Sequence, residues 1–126
     1  MCRDARRIKS AMNITKLSHH KFPMAALLFK GSIPISVGVN RYRSHPKQIN
    51  PYTDQKGTST HAELDCILGT HKEDLIGATI YIARRLKSGK PGIAKPCKSC
   101  MAIIRASGIK LIVYTTYKDY EVEEVV

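Results

Sequence analysis

Two short stretches carry side chains that could hold a metal ion and move a proton. Thr60-His61-Ala62-Glu63 offers an imidazole and a carboxylate, and Pro96-Cys97-Lys98-Ser99-Cys100 offers two thiols. One nitrogen and two sulfurs suit zinc, a borderline ion that takes both atom types in a tetrahedral shell. Structural zinc sites almost always have four protein ligands, so three ligands and an open position are the catalytic arrangement. Water in that position falls in pKa from about 15.7 toward ~7, which supplies a nucleophile at neutral pH. Glu63 stands two residues from His61, so it leaves a helix in another direction and can shuttle protons over the metal.

Each half is weak by itself. H-x-E arises by chance, and a lone C-x-x-C also serves as a redox pair or as half of a zinc ribbon. A redox pair would follow the first strand of a thioredoxin-like unit, and Cys97 comes too late for that. A ribbon needs a second C-x-x-C, which the chain lacks. The conjunction, on two helix starts separated by a strand, is far more specific. The other thiols read blandly: Cys66 among Leu64, Ile67 and Leu68 is a small buried hydrophobe, and Cys2 is an incidental terminal thiol. His19-His20 lacks a third ligand nearby and reads as connector.

The elements around these stretches follow from periodicity. Residues 3–15, with Ala5, Ile8, Met12 and Ile14 among Arg and Lys, predict a basic amphipathic helix. Met24 to Phe29, a Lys30-Gly31-Ser32 turn and Ile33 to Val39 predict a β-hairpin, whose Pro34 marks an edge strand. Asn40 to Thr60 is a long polar loop. A helix then runs from near His61 to about Leu68 with Gly69 as its stop, and His61, Leu64 and Leu68 share its inner face. Ala78 to Ala83 is a buried strand and Arg84 to Lys95 a loop. Pro96 opens a helix over Cys97 to Ala106, ended by Gly108, with Cys97, Cys100, Ile103 and Ile104 in one stripe. Ile109 to Tyr114 is the last predicted strand, and Tyr117 onward reads as an acidic tail. Strands alternating with helices imply right-handed crossovers and an α/β sandwich: a mixed sheet of four to five strands with helices on both faces. Ligands in such sheets bind beyond the carboxyl ends of the parallel strands, where both motifs begin helices.

At 126 residues the chain is read as a single domain, residues 1–126, with a basic N-terminal helix in 1–20 and the tail in 115–126. No apolar run approaches the roughly 20 residues of a membrane span, and no apolar stretch follows the basic N-terminus as in a signal peptide. A cytoplasmic protein without a membrane partner is the expectation. Twenty-one Lys and Arg against ten Asp and Glu give a net charge of +11. The charge is uneven, with ten bases and one acid in residues 1–50, and four acids without a base from Asp119 on. A phosphate-rich partner follows, either a nucleotide or a polynucleotide.

His61-Ala62-Glu63 with Pro96-Cys97-Lys98-Ser99-Cys100 resembles the zinc-dependent cytidine/deoxycytidylate deaminase superfamily, in which H-x-E and P-C-x-x-C are the signature. The order of elements is similar from residue 22 to Tyr114. The resemblance implies a cytidine-deaminase-like three-layer sandwich with one zinc ion held by His61, Cys97 and Cys100, and Glu63 as proton shuttle. It further implies that Asn40, ending the second strand, touches the substrate sugar and that the backbone of Ala62 meets the base. Tyr114-Thr115-Thr116-Tyr117 is similar to the aromatic-rich segment of deoxycytidylate deaminases, which makes Tyr117 a substrate contact. Bases from Arg84 to Lys95, with Arg41, Arg43, Lys47 and Lys56 on the other rim loop, favour a phosphorylated substrate, so dCMP to dUMP is the preferred reaction. Editing of a base in single-stranded DNA or RNA, action on an adenine or cytosine nucleoside, and a non-catalytic nucleic-acid-binding module with structural zinc stay open. The short C-terminal part suggests a sheet edge covered in a homo-oligomer.

Overall fold

The computed structural model describes residues 2–41 and 61–125. Helix α1 spans Arg3–Ile14 and turns its Ile8 and Ala11 inward, leaving Arg3, Arg6 and Lys9 exposed. A 3-10 turn at Thr15–Leu17 leads to the hairpin of β1, Met24–Lys30, and β2, Ile33–Val39. Gly31 in its turn has φ +62, a left-handed conformation that glycine adopts without strain. After α2, Ala62–Leu68, come a short α3, Lys72–Leu75, and β3, Thr79–Arg85. Then follow β4, Pro91–Gly92, α4, Lys98–Ser107, β5, Leu111–Thr115, and β6, Tyr120–Glu124. Gly108 closes α4 at φ +88.

The strands form one sheet in the order β2-β1-β3-β5-β6, with β4 attached to β3. Strands β3 and β5 are parallel, while β1 is antiparallel to both β2 and β3, and β6 to β5. So β2, β3 and β5 point the same way, and α2 and α4 start beyond the ends of β2 and β3. Pro34 lies on the edge strand, where the missing donor costs no ladder bond, and the register shifts beside it between Leu28 and Phe29.

Strand alternation divides the core in two. One face gathers Ala26, Leu28, Ile80, Ile82 and Ile112 against Ala62, Cys66, Ile67 and Ile104 of α2 and α4. The other gathers Leu27, Tyr81 and Val113 against Ile8 of α1. On that side the Arg7 guanidinium lies 3.8 Å from the Phe29 ring centre and donates to the Tyr81 hydroxyl, which donates to Asp4 at 2.6 Å. Helices therefore cover both faces of a mixed sheet, as the sequence leads one to expect. Among the described residues no helix is long and apolar enough to cross a membrane.

Three readings need correction. The acidic tail is structured, because β6 pairs along β5 from Leu111↔Glu124 to Thr115↔Tyr120. Its Glu121 and Glu123 lie 3.0 and 2.8 Å from the buried Tyr114 hydroxyl, so two of the four acids serve the sheet. The loop after Ala83 is shorter than expected: β3 runs on to Arg85, and Arg84 pairs with Gly92 of β4. These two strands bring the sheet to six. Leu68, expected on the inner face of α2, is exposed because that helix ends there.

Candidate metal centre

His61 and Cys97 are the N-cap residues of α2 and α4, and Cys100 lies in the first turn of α4. Both caps have extended backbone, so each side chain leaves its helix at the end where the amide groups and the dipole favour anionic ligands. The three ligand atoms all lie within 4.8 Å of one another. His61 Nδ1 is 3.2 Å from Cys100 Sγ and 3.5 Å from Cys97 Sγ. Hydrogen bonding to Cys100, then to His61, pulls the Cys97 thiol down to about 4. The hydrogen bond to Cys97 in turn holds His61 above its ordinary value against the opposing effect of burial. The site thus favours thiolate, the form of cysteine that ligates metal.

Glu63 sits one turn-step further along α2, 2% exposed. Its Oε1 is buried with no hydrogen-bond partner among the described residues. Burial drives the carboxyl above its ordinary value. A native core does not orphan a carboxylate oxygen without a reason, and an unpaired acceptor beside the His61, Cys97 and Cys100 cluster is what a zinc-and-water site requires. The donor set, the thiolate bias and the orphaned oxygen all fit zinc.

Several residues hold the two helix starts in place. A Cβ on Gly38 would collide with the backbone amide of Cys66 and stand 2.5 Å from the Ala62 carbonyl, so only glycine lets α2 lie this close to β2. Asp65 accepts from the Val39 amide at 3.0 Å and from Arg41, through Nε at 3.2 Å and through Nη2 at 3.3 Å. On the other side Thr115 Oγ1 accepts from the Arg84 amide and donates to the Gly92 carbonyl at 2.7 Å. The Ala94 amide donates to the Thr115 carbonyl, which fixes the approach to Cys97. Gly38 carries a signal, being a glycine inside a strand pattern; Thr115 and Asp65 carry none, since their partners are distant in sequence.

The expected substrate contacts fare differently. Ala62 is fully buried at the first position of α2. Asn40 is buried, with Oδ1 accepting from Ser18 Oγ and the Met24 amide and Nδ2 donating to the Phe22 carbonyl at 2.6 Å. It clamps the segment before β1 to the end of β2. Arg41 is engaged with Asp65. Tyr117 is 65% exposed in the turn between β5 and β6, at the same end of the sheet as the metal centre. Arg43, Lys47 and Lys56 lie outside the described residues. Cys66 is buried and its thiol is pushed up to about 12, chiefly by burial, as an inert core residue should be.

The profile of the cytidine and deoxycytidylate deaminase zinc-binding region matches residues 1–116. A deoxycytidylate deaminase of Mycobacterium phage D29 is 41% identical over 56 residues, which is 44% of this chain and 36% of that protein. The chain thus matches about a third of that relative's length. The dCMP deaminase of cyanophage S-TIM5 in apo form superposes with a TM-score of 0.66 at 17% identity, over 92% of this chain and 86% of that one. The same cyanophage enzyme in complex with dCMP and dUMP gives 0.62 at 16% identity, over 92% and 84%. A cytidine deaminase from Burkholderia pseudomallei gives 0.66 at 17% identity, over 99% and 94%. At these identities the superpositions speak for the fold.

Proposed function

Because the chain belongs to the cytidine and deoxycytidylate deaminase family, a family with a zinc-binding region, we propose that it is a hydrolytic deaminase converting dCMP and water to dUMP and ammonia. The observation that carries the reading is the buried, unpartnered Glu63 oxygen beside the His61, Cys97 and Cys100 cluster. Those three residues would hold zinc. When bound, the ion supplies Lewis acidity that makes water nucleophilic at neutral pH. Glu63 takes a proton from water as the water oxygen bonds to the ring carbon bearing the amine. Of the two water protons, one ends on the adjacent ring nitrogen and the other leaves with the amine as ammonia when the carbon–nitrogen bond breaks. The buried setting of Glu63 suits this role, because a carboxyl raised toward neutrality both accepts and releases a proton readily. The Ala62 amide faces the base, while Asn40 acts by fixing the rim.

The preference for a phosphorylated substrate is supported by the basic balance of the chain and by the cyanophage relative that was solved with dCMP and dUMP. A homo-oligomer would cover the β2 edge, where Ile33 and Val37 are exposed. The test is direct: zinc-loaded protein is incubated with dCMP, cytidine, AMP and a mixed single-stranded oligonucleotide, and ammonia is assayed. Release from dCMP above all others is expected. Turnover of the oligonucleotide alone would overturn the substrate, and no release from any would overturn the activity.

A further inference from the structure

The segment before β1 presents an exposed aromatic ring in a fixed place. Phe22 is 51% exposed, yet its backbone is clamped on both sides. Its amide donates to His20 Nδ1 at 3.0 Å, its carbonyl accepts from Asn40, and the next carbonyl, of Pro23, accepts from the Arg85 amide. Two cations lie over the ring: Arg84 Cζ is 5.6 Å and Lys21 Nζ 5.7 Å from its centre. Strand alternation puts Arg84 on the same face as Ile80 and Ile82, the face covered by α2 and α4, at the carboxyl end of β3. There its amide donates to Thr115 Oγ1, and the Thr115 carbonyl holds Ala94, three residues before Cys97.

Among the described residues, three other cations of this region are engaged elsewhere. Arg41 is paired with Asp65 and Lys95 with Glu123. Arg85, one residue on, points to the α1 face and donates to Thr15 Oγ1 at 3.0 Å. Arg84 has no carboxylate partner among the described residues. A π face orients a guanidinium without cancelling its charge, and it leaves the N–H edge of the fork available to an incoming anion. Phosphate is one of the two anions whose geometry such a fork matches, and it is the one a nucleotide carries.

We propose that Arg84, positioned over Phe22 with Lys21 beside it, receives the phosphate monoester of the nucleotide, and that this rim makes the protein select nucleotides over nucleosides. The inference rests on the deaminase reading for its ligand. Arg84 is the specificity-determining residue, and Phe22 is a positioning residue that acts through it.

Equilibrium binding separates this claim from catalysis. The zinc-loaded protein and its Arg84→Gln, Arg84→Lys and Phe22→Leu variants are titrated by calorimetry with dUMP, deoxyuridine and a single-stranded oligonucleotide carrying one internal deoxyuridine. Wild type is expected to bind dUMP more tightly than deoxyuridine, and Arg84→Gln to lower that ratio by about tenfold or more, as loss of a charge-assisted hydrogen bond does. Arg84→Lys should keep part of the ratio, and Phe22→Leu should lose part of it. An unchanged ratio in Arg84→Gln overturns the proposal, including the case in which both ligands weaken alike. Tighter binding of the oligonucleotide than of dUMP, lost in Arg84→Gln, also overturns it, because the ligand is then a phosphodiester. Failure of wild type to deaminate dCMP would sink the deaminase reading alone, since dUMP selectivity through Arg84 is read without turnover.

Discussion

Glu63 occupies a position that an ordinary surface glutamate could not hold. Its carboxyl is in the core, with one oxygen unpartnered and its proton affinity raised by burial. In the metal-free protein this has a cost that depends on pH. Between the ordinary value of 4.5 and the raised folded value, the folded chain keeps the Glu63 proton and the unfolded chain releases it. Stability contributed by this group therefore falls as pH rises through that window. Glutamine has the same shape and no charge to bury. Metal-free Glu63→Gln should melt at a higher temperature than metal-free wild type near neutral pH, and at the same temperature below pH 4.5. A melting difference that does not change with pH would show that Glu63 is not strained by its charge. In the zinc-loaded protein the same substitution should abolish ammonia release while metal content stays at one ion per chain. Retained turnover would remove Glu63 from the chemistry.

At the scale of elements, the approach of α2 to β2 decides where His61 and Glu63 stand. The contact depends on Gly38, whose missing side chain admits the Ala62 carbonyl and the Cys66 amide. Gly38→Ala should lower stability by about 1–3 kcal/mol, the range for overpacking a close contact, and weaken zinc binding because α2 must move. Gly69→Ala serves as the control, since its Cβ meets nothing closer than Ser36 Oγ at 3.4 Å. Denaturant melts and chelator competition read the two effects, and equal behaviour of the two variants would exclude a special role for Gly38. The same element explains what the sequence discloses. His61 and Cys97 are legible because ligand types and helix starts are both local signals, and α1, the hairpin and β3 are legible because their periodicity is strong. Strand β6 is not, because Tyr-Glu-Val-Glu-Glu has the composition of a solvated tail, and the groups that engage Glu121 and Glu123, the Tyr114 hydroxyl across the ladder and Lys95, come from other elements. Strand β4 consists of Pro and Gly, turn residues that signal no strand, and is held by β3 and Thr115. Asn40 shows the reverse case: its place at the end of β2 is readable, but its engagement with Ser18, Phe22 and Met24 depends on a fold that brings those atoms together.

Across the whole molecule, charge is sorted along with structure. The net +11 is drawn largely from the first fifty residues and the Arg84 to Lys95 segment. The glutamates of the C-terminal segment are laid along β6, at the opposite edge of the sheet from β2, and Glu123 is neutralised locally by Lys95. A dianionic nucleotide approaching the metal centre therefore meets a positive field, whereas a neutral nucleoside does not respond to it. Such a field is screened over about 10 Å at 0.1 M salt and about 3 Å at 1 M. The KM for dCMP should rise severalfold across that range with kcat nearly constant, and the KM for deoxycytidine should stay level. Direct contact and long-range attraction can then be told apart. In Arg84→Gln the KM for dCMP starts higher, but a salt-dependent rise remains because the other bases still shape the field. If the salt dependence disappears entirely with Arg84, one contact accounts for the selectivity. If deoxycytidine shows the same rise as dCMP, salt acts on the protein itself and the charge excess has no part in choosing the substrate.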